Sequence, residues 1–362
     1  MEGVSIPGLL AVVAGFVFVS ILIPMLCRPA ERLGLLDLPD DRKLHGEPVP
    51  MIGGFAMFIA FCAGLLIIPD PLRPYASLIV GMGLLLATGL VDDALDITPA
   101  SKLIMQLVAA TLMVSWGEVQ IHSLGNLFGA GEVELGEWAI PFTVLCTVFM
   151  INAINMADGT DGLAGGLAML ILVGLAILGW LNGAREAFIV LALLLASVTL
   201  GFLLFNMRTP WRKRASVFMG DAGSMMLGFA IAWLAVFASQ RDDATVYPIT
   251  IAWLLVLPVT DLVSSFFRRL VRGHSPFSAD REHLHHALLR AGIPVGTIVG
   301  IMLLLQLIFS VVGVLGWTLG WPEYWLTVGV GLVFIGHYIL SIRAWRLMKW
   351  IKRKGGGELP GD

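Results

Sequence analysis

Long apolar runs separated by short polar stretches set the pattern of this chain. Windows long enough for a helix to cross a bilayer, about 18 to 22 residues, recur about eleven times. They lie near 8–27, 51–68, 75–91, 101–117, 138–156, 163–181, 186–205, 223–239, 247–267, 294–317 and 324–345. The fourth is the weakest, because Lys102 and Gln106 interrupt its start. The pattern predicts an all-α polytopic membrane protein. Composition agrees: 57% of residues are hydrophobic, 14% are charged and the mean hydropathy is +0.87, far from a soluble globular average.

Charge then orients the spans. Of the 23 Lys and Arg residues, all but Arg73, Arg185 and Arg241 fall on one side. That side holds 28–50, 92–101, 157–162, 206–222, 268–293, the helix-end residues Lys102 and Arg343, and the C-terminal tail. By the positive-inside rule this is the cytoplasmic side, which puts the N-terminus in the periplasm and the C-terminus in the cytoplasm. An odd number of spans agrees with that arrangement.

The opening residues MEGVSIPGLL have no basic region, and Arg28 and Arg32 follow the first apolar run where a cleavage site would need small residues. The first span is therefore expected to stay uncleaved. Neither a solenoid repeat nor a separate soluble domain is evident, so residues 1–362 read as one membrane domain with its motifs between about 37 and 292. The basic tail, 346–362, mixes Lys and Arg with Trp350 just beyond Trp345, which fits an interfacial anchor on anionic lipid or a solvated end equally well. Cys27, Cys62 and Cys146 lie in or beside apolar runs without metal-ligand spacing.

Chemistry concentrates in the basic-side loops. FMINAINMADGTDGLAGG, from Phe149 to Gly166, sets Asn152, Asn155, Asp158 and Asp161 at intervals of three beside several glycines. Such groups are expensive in hydrocarbon and are tolerated where backbone lines a wet cavity. The stretch predicts a polar pocket at the membrane surface, with an ordinary interhelical loop as the plainer alternative. In the first loop Arg42, Lys43 and His45 form a basic patch before Gly53 and Gly54, which suits phosphate or simple positive-inside anchoring. The second loop has Asp92, Asp93 and Asp96; on a continuous helix Asp92 and Asp96 share a face, and such carboxylates repel unless a cation or proton intervenes. Lys102 follows, placed to meet an anion. At 220–224 Gly-Asp-Ala-Gly-Ser opens a span, where backbone N–H groups can meet an oxyanion and Asp221 a hard cation. The fifth loop carries His274, Asp280, His283, His285 and His286 among Arg272, Arg281 and Arg290. Zinc is a rival reading there, but the surrounding arginines suit a phosphorylated sugar better. His122 and His337, isolated and on or near the outer face, are read as structural.

Taken together, RKLHGEPVPMIGG, VDDALD with Lys102 following, NAINMADGTDGLAGG, VFMGDAGS and HSPFSADREHLHH resemble the motifs of the polyprenyl-phosphate N-acetylhexosamine-1-phosphate transferases. The likeness runs through all five loops in order, and that family also has eleven spans. Within it, HSPFSADREHLHHALLRAG is similar to the bacterial undecaprenyl-phosphate N-acetylglucosamine-1-phosphate transferases that initiate O-antigen and enterobacterial common antigen. The phospho-N-acetylmuramoyl-pentapeptide branch has a different histidine motif.

The resemblance implies transfer of N-acetylglucosamine 1-phosphate from UDP-GlcNAc to undecaprenyl phosphate, with release of UMP and a need for Mg²⁺ (or Mn²⁺), in the bacterial inner membrane. It implies that Asp221 and Asn155 hold the metal. Asp92, Asp93, Lys102 and Asp158 would be catalytic, with Asp92 and Asp93 by the lipid phosphate. Phe218 would stack on uracil and Asp161 accept from its N–H. Lys43, His45, Asp96, Asp280, His283, His285 and His286 would bind substrate. Expected partners are the two substrates and membrane lipids, with a homodimer possible and no nucleic acid. Another UDP-N-acetylhexosamine, or phospho-MurNAc-pentapeptide, is the alternative group transferred. Secondary transport is the remote alternative, since transporters place such groups near the midplane and not at span ends.

The charge asymmetry generates a direct test. A cysteine replacing Ser101 or Ser216 should react with an impermeant thiol reagent only from the cytoplasmic side, and one replacing Asp242 only from outside. Labelling of Ser216 from outside would reverse the assignment.

Overall fold

The computed structural model describes residues 4–37, 48–68, 71–240, 246–271, 273, 288–289 and 292–355, and side chains as far as Arg343 apart from Ile342. The helices are α1 (Ile6–Leu33), α2 (Gly53–Leu65), α3 (Ala76–Leu95), α4 (Pro99–Ser115), α5 (Ala139–Ala157), α6 (Leu163–Leu181), α7 (Glu186–Asn206), α8 (Gly220–Gln240), α9 (Pro248–Val271), α10 (Val295–Thr318) and α11 (Glu323–Gly355). Each apolar window thus holds a helix. Among the described residues nine helices are long and apolar enough to cross a membrane, while α2 and α4 have only 13 and 17 residues. At about 1.5 Å per residue, both are shorter than a hydrocarbon core of about 30 Å. The expectation of full-length spans fails there for local reasons. Helix α2 starts at Gly53, inside the second window, and stops at Leu65, and α4, capped by Thr98, which accepts from the Ser101 N–H at 3.2 Å, stops at Ser115. The chain is a polytopic helical membrane protein.

The helix α8 lies at the centre. Of its most apolar window 89% is buried, against 72% for α6 and α7, 22% for α1 and 11% for α11. Helices α2, α3, α5, α6 and α9 pack against it, α3 and α5 most closely. Two glycine contacts let the backbones meet: a Cβ at Gly89 of α3 would fall on the Ala222 backbone, and one at Gly54 of α2 on that of Gly223. Close approach of this kind is how membrane helices associate without a hydrophobic driving force between them. At the end of the bundle away from the motifs, Trp116, Trp138, Trp180, Trp321 and Trp325 are exposed at or beside helix ends, as a membrane-interface belt requires.

Near the motif end two short strands pair antiparallel, β1 (Leu36–Asp37) with β2 (Val49–Pro50), in register Leu36 to Pro50. Phe218 extends this ribbon: its N–H donates to Pro50 O at 2.9 Å, and its own carbonyl accepts from Gly53 at 3.0 Å.

In α9 a proline frees a backbone carbonyl and a neighbouring helix takes it up. Pro258 in α9 has no N–H for the Leu254 carbonyl four residues back, and Gln306 of α10 donates to that carbonyl through Nε2 at 2.8 Å. His337 is neither isolated nor at the outer face, as the sequence led us to expect. It lies towards the motif end of the span Glu323–Ser341, buried, with Nδ1 3.0 Å from Ser264 Oγ and Nε2 3.5 Å from Asp261, so it ties α11 to α9.

Candidate active site

Three of the loops predicted to carry chemistry converge where α3 ends and α8 begins. Helix α3 stops at Leu95, and Asp96 follows as its cap in the left-handed conformation (φ 50°), donating its N–H to Asp92 O at 2.8 Å. The shared face expected for Asp92 and Asp96 is therefore lost. Asp96 is exposed and does not line the cavity described below. The chain turn leaves Asp92 and Asp93 at a helix C-terminus, where the helix dipole disfavours negative charge.

Two devices offset that penalty. Lys102, in the first turn of α4, places its ammonium 2.9 Å from Asp92 Oδ2 and 2.9 Å from Asp221 Oδ2. Asp92 Oδ1 also accepts from the Ile97 N–H at 3.1 Å. Asp93 turns to the N-terminus of α8, accepting from the Asp221 N–H at 3.0 Å and the Ala222 N–H at 3.4 Å. The backbone donors of the Gly-Asp-Ala-Gly-Ser turn are thus met by a carboxylate of the chain itself, the arrangement a helix N-terminus favours. Gly220, at φ 68°, has no room for a side chain because a Cβ there would meet the Asp93 carboxylate.

Asp221 is the node of the site. Besides Lys102 it accepts from Asn155 Nδ2 at 3.0 Å, and the same amide nitrogen lies 2.9 Å from Ser224 Oγ. Oxygen atoms of Asp92, Asp93 and Asp221 lie within 4.8 Å of one another. Converging carboxylate oxygens bridged by one ammonium are a donor set that suits a hard divalent cation.

The loop after α5 forms the next wall. Gly162, at φ 84°, donates its N–H to Asn206 Oδ1 at 2.8 Å, and Asn206 Nδ2 donates to Val217 O at 2.9 Å. Asp161 accepts from Arg208 Nε at 2.7 Å and from the Ala215 N–H at 3.1 Å. Asn206 and Arg208 were not singled out in the sequence. The available signals were a lone amide closing the apolar run of α7 and the first cation after it. Burial, then the charges of Asp221, Asp93 and Asp161, push the Asp158 carboxyl well above the ordinary carboxylate range.

These groups open onto a cavity of about 770 Å³ lined by Asp93, Asn155, Asp158, Asp161, Phe218 and Asp221, with Arg208 and Arg214 from the basic loop and Cys27 and Glu31 from α1. Asp92 and Lys102 stand behind that wall. The N–H groups of Gly53 and Gly54, the glycines that follow the basic patch, donate to the carbonyls of Phe218 and Met219 at 3.0 and 3.2 Å. Lys43, His45, Asp280, His283, His285 and His286 lie outside the described residues.

Comparison with known proteins gives a consistent picture. The model of glycosyl transferase family 4 matches residues 75–239. Curated relatives from Escherichia coli O157:H7, Escherichia coli strain K12 and Salmonella typhi are each 32% identical over 340 residues, covering 93% of this chain and 92% of theirs. All three are undecaprenyl-phosphate alpha-N-acetylglucosaminyl 1-phosphate transferases.

The raised Asp158 carboxyl has a consequence for stability. In metal-free protein the folded state keeps a proton that the unfolded chain gives up, so this group costs the fold stability as pH rises above the usual carboxylate range. Relative to the parent, Asp158→Asn should gain thermal stability between about pH 5 and about pH 8, read by unfolding in detergent. A difference that stays constant across that range would contradict the assignment.

Proposed function

The chain belongs to glycosyl transferase family 4, and from that premise we propose that it transfers N-acetylglucosamine 1-phosphate from UDP-GlcNAc to undecaprenyl phosphate, releasing UMP. The observation that carries this reading is the meeting of Asp92, Asp93, Asn155 and Lys102 at Asp221, beside a cavity of about 770 Å³. Phosphoryl transfer asks for charge neutralisation and in-line positioning more than for covalent chemistry by the protein. The lipid product would begin a cell-envelope polysaccharide such as O-antigen or common antigen.

We assign the reaction to the cytoplasmic face of the bacterial inner membrane, with the N-terminus periplasmic, the C-terminus cytoplasmic and α2 and α4 completing eleven crossings as short helices. The concentration of Lys and Arg in the loops at the motif end of the bundle supports this orientation.

Asp221, with Asn155 beside it, would hold the Mg²⁺ (or Mn²⁺), which when bound neutralises the pyrophosphate of the nucleotide sugar. Phe218 offers a ring to the uracil from the cavity wall. Asp161, held by Arg208 and the Ala215 N–H, would accept from the uracil N–H. Asp158 faces the same cavity and, protonated, can donate to a phosphate oxygen. Lys102 supplies the fixed positive charge at the back. The histidines of the fifth loop would bind the sugar phosphate.

Direct attack by the lipid phosphate on the sugar-linked phosphorus fits these contacts better than an aspartyl phosphate. A phosphate monoester has its second pKa near about 6 and is mostly dianionic at neutral pH. Asp93 has both oxygens against backbone donors, and Asp92 is held by Lys102 and the Ile97 N–H. Carboxylates held in this way are suited to positioning and charge balance; a nucleophile also needs room to advance on the phosphorus.

The test gives purified protein labelled UDP-GlcNAc, undecaprenyl phosphate and Mg²⁺, and follows lipid-linked label and UMP. UDP-GlcNAc should be preferred over UDP-GalNAc and UDP-MurNAc-pentapeptide by about tenfold or more in kcat/KM. Omitting the lipid should abolish UMP release, including any stoichiometric burst. Equal use of another UDP-sugar would overturn the sugar assignment, and a lipid-independent burst of one UMP per site would overturn direct attack.

A further inference from the structure

The same three helices that meet at Asp221 meet again one turn deeper. On α4, Gln106 follows Lys102 by four residues; on α5, Asn152 precedes Asn155 by three; on α8, Met225 follows Asp221 by four. These spacings place each pair on one helical face. The upper rung joins Lys102 and Asn155 to Asp221. In the lower rung Asn152 Nδ2 donates to Gln106 Oε1 at 2.7 Å, and Gln106 Nε2 lies 3.6 Å from Met225 Sδ.

The amide orientations in the lower rung are over-determined. Asn152 Nδ2 also donates to the Val148 carbonyl at 2.8 Å, and a carbonyl can only accept, so nitrogen is the atom of Asn152 that faces it. The Gln106 atom meeting that nitrogen must then be oxygen. Gln106 is 4% exposed, which leaves its amide no water to fall back on.

We propose that Gln106 and Asn152 are positioning residues: their hydrogen bond fixes the spacing of α4 and α5 so that Lys102 and Asn155 reach opposite oxygens of Asp221. The lower rung touches neither the cavity nor any of the three carboxylates. Its effect runs through the helices, as outer partners of a metal or phosphate site act on the inner ones. The proposal rests on the transferase reading for its kinetic consequence, and on Asp221 as a cation ligand for its binding consequence.

Gln106→Met keeps length and apolar volume while removing the bond to Asn152, and Asn152→Leu removes it from the other side. Each variant should bind Mn²⁺, read by electron paramagnetic resonance without substrate, about 10-fold more weakly than the parent. Each should lose kcat by a similar factor, with the KM for UDP-GlcNAc at saturating metal changed by less than about twofold. Because both changes delete one bond, the double variant should be little worse than either single one. Thermal unfolding in detergent identifies a variant that merely fails to fold, and the other then decides. Unchanged Mn²⁺ affinity in a folded variant, or losses that multiply in the double variant, would overturn the proposal. Wild-type protein that binds Mn²⁺ but makes no lipid-linked sugar would refute the transferase reading alone, leaving the spacing role to be judged on Mn²⁺ affinity.

Discussion

One ammonium group between two carboxylates governs this structure. Lys102 bridges Asp92 and Asp221 with contacts of 2.9 Å each, and Asp93 lies within the same cluster. Two like charges about 4 Å apart repel by about 4 kcal/mol at an effective dielectric near 20, so the cluster cannot stand fully ionised without positive charge among it. Lys102 supplies one unit, and the N–H groups at the start of α8 supply partial charge to Asp93. The set remains anionic on balance, which is the condition a divalent cation meets.

The packing follows from that need. To bring the end of α3 and the start of α2 against the start of α8, side chains must be absent where the helices cross: Gly89 and Gly220 free the α3 contact, and Gly54 and Gly223 the α2 contact. The central burial of α8 then fixes Asp221 against the bilayer-buried core, while the cavity side stays open to a polar substrate. Rigidity behind and access in front are what a phosphate-transfer site requires.

Much of this was legible in the sequence, because hydrocarbon imposes a simple rule on apolar runs. The window 163–181 coincides with α6, and the motif residues of α3, α5 and α8 do come together. What could not be read is what depends on backbone meeting backbone. Asp96 leaves the face of Asp92 because the helix ends one residue earlier, and Gly53 and Gly54 spend their N–H groups on Phe218 and Met219. Lys102, expected to meet an anion, meets two carboxylates of its own chain. The partners of Asn206, Arg208 and Gln106 are distant in sequence, so no local spacing names them.

The account stands or falls on where positive charge is held when substrate is present. Crystals of the protein grown with Mn²⁺ and UDP-GlcNAc, measured at a wavelength that gives manganese an anomalous signal, locate the ion directly. The account predicts a single strong peak within coordination distance of the Asp221 carboxylate, about 2.2 Å, and touching the nucleotide pyrophosphate. An ordered nucleotide whose manganese sits on the histidines of the fifth loop, with Asp221 still bound only to Lys102 and Asn155, would contradict it.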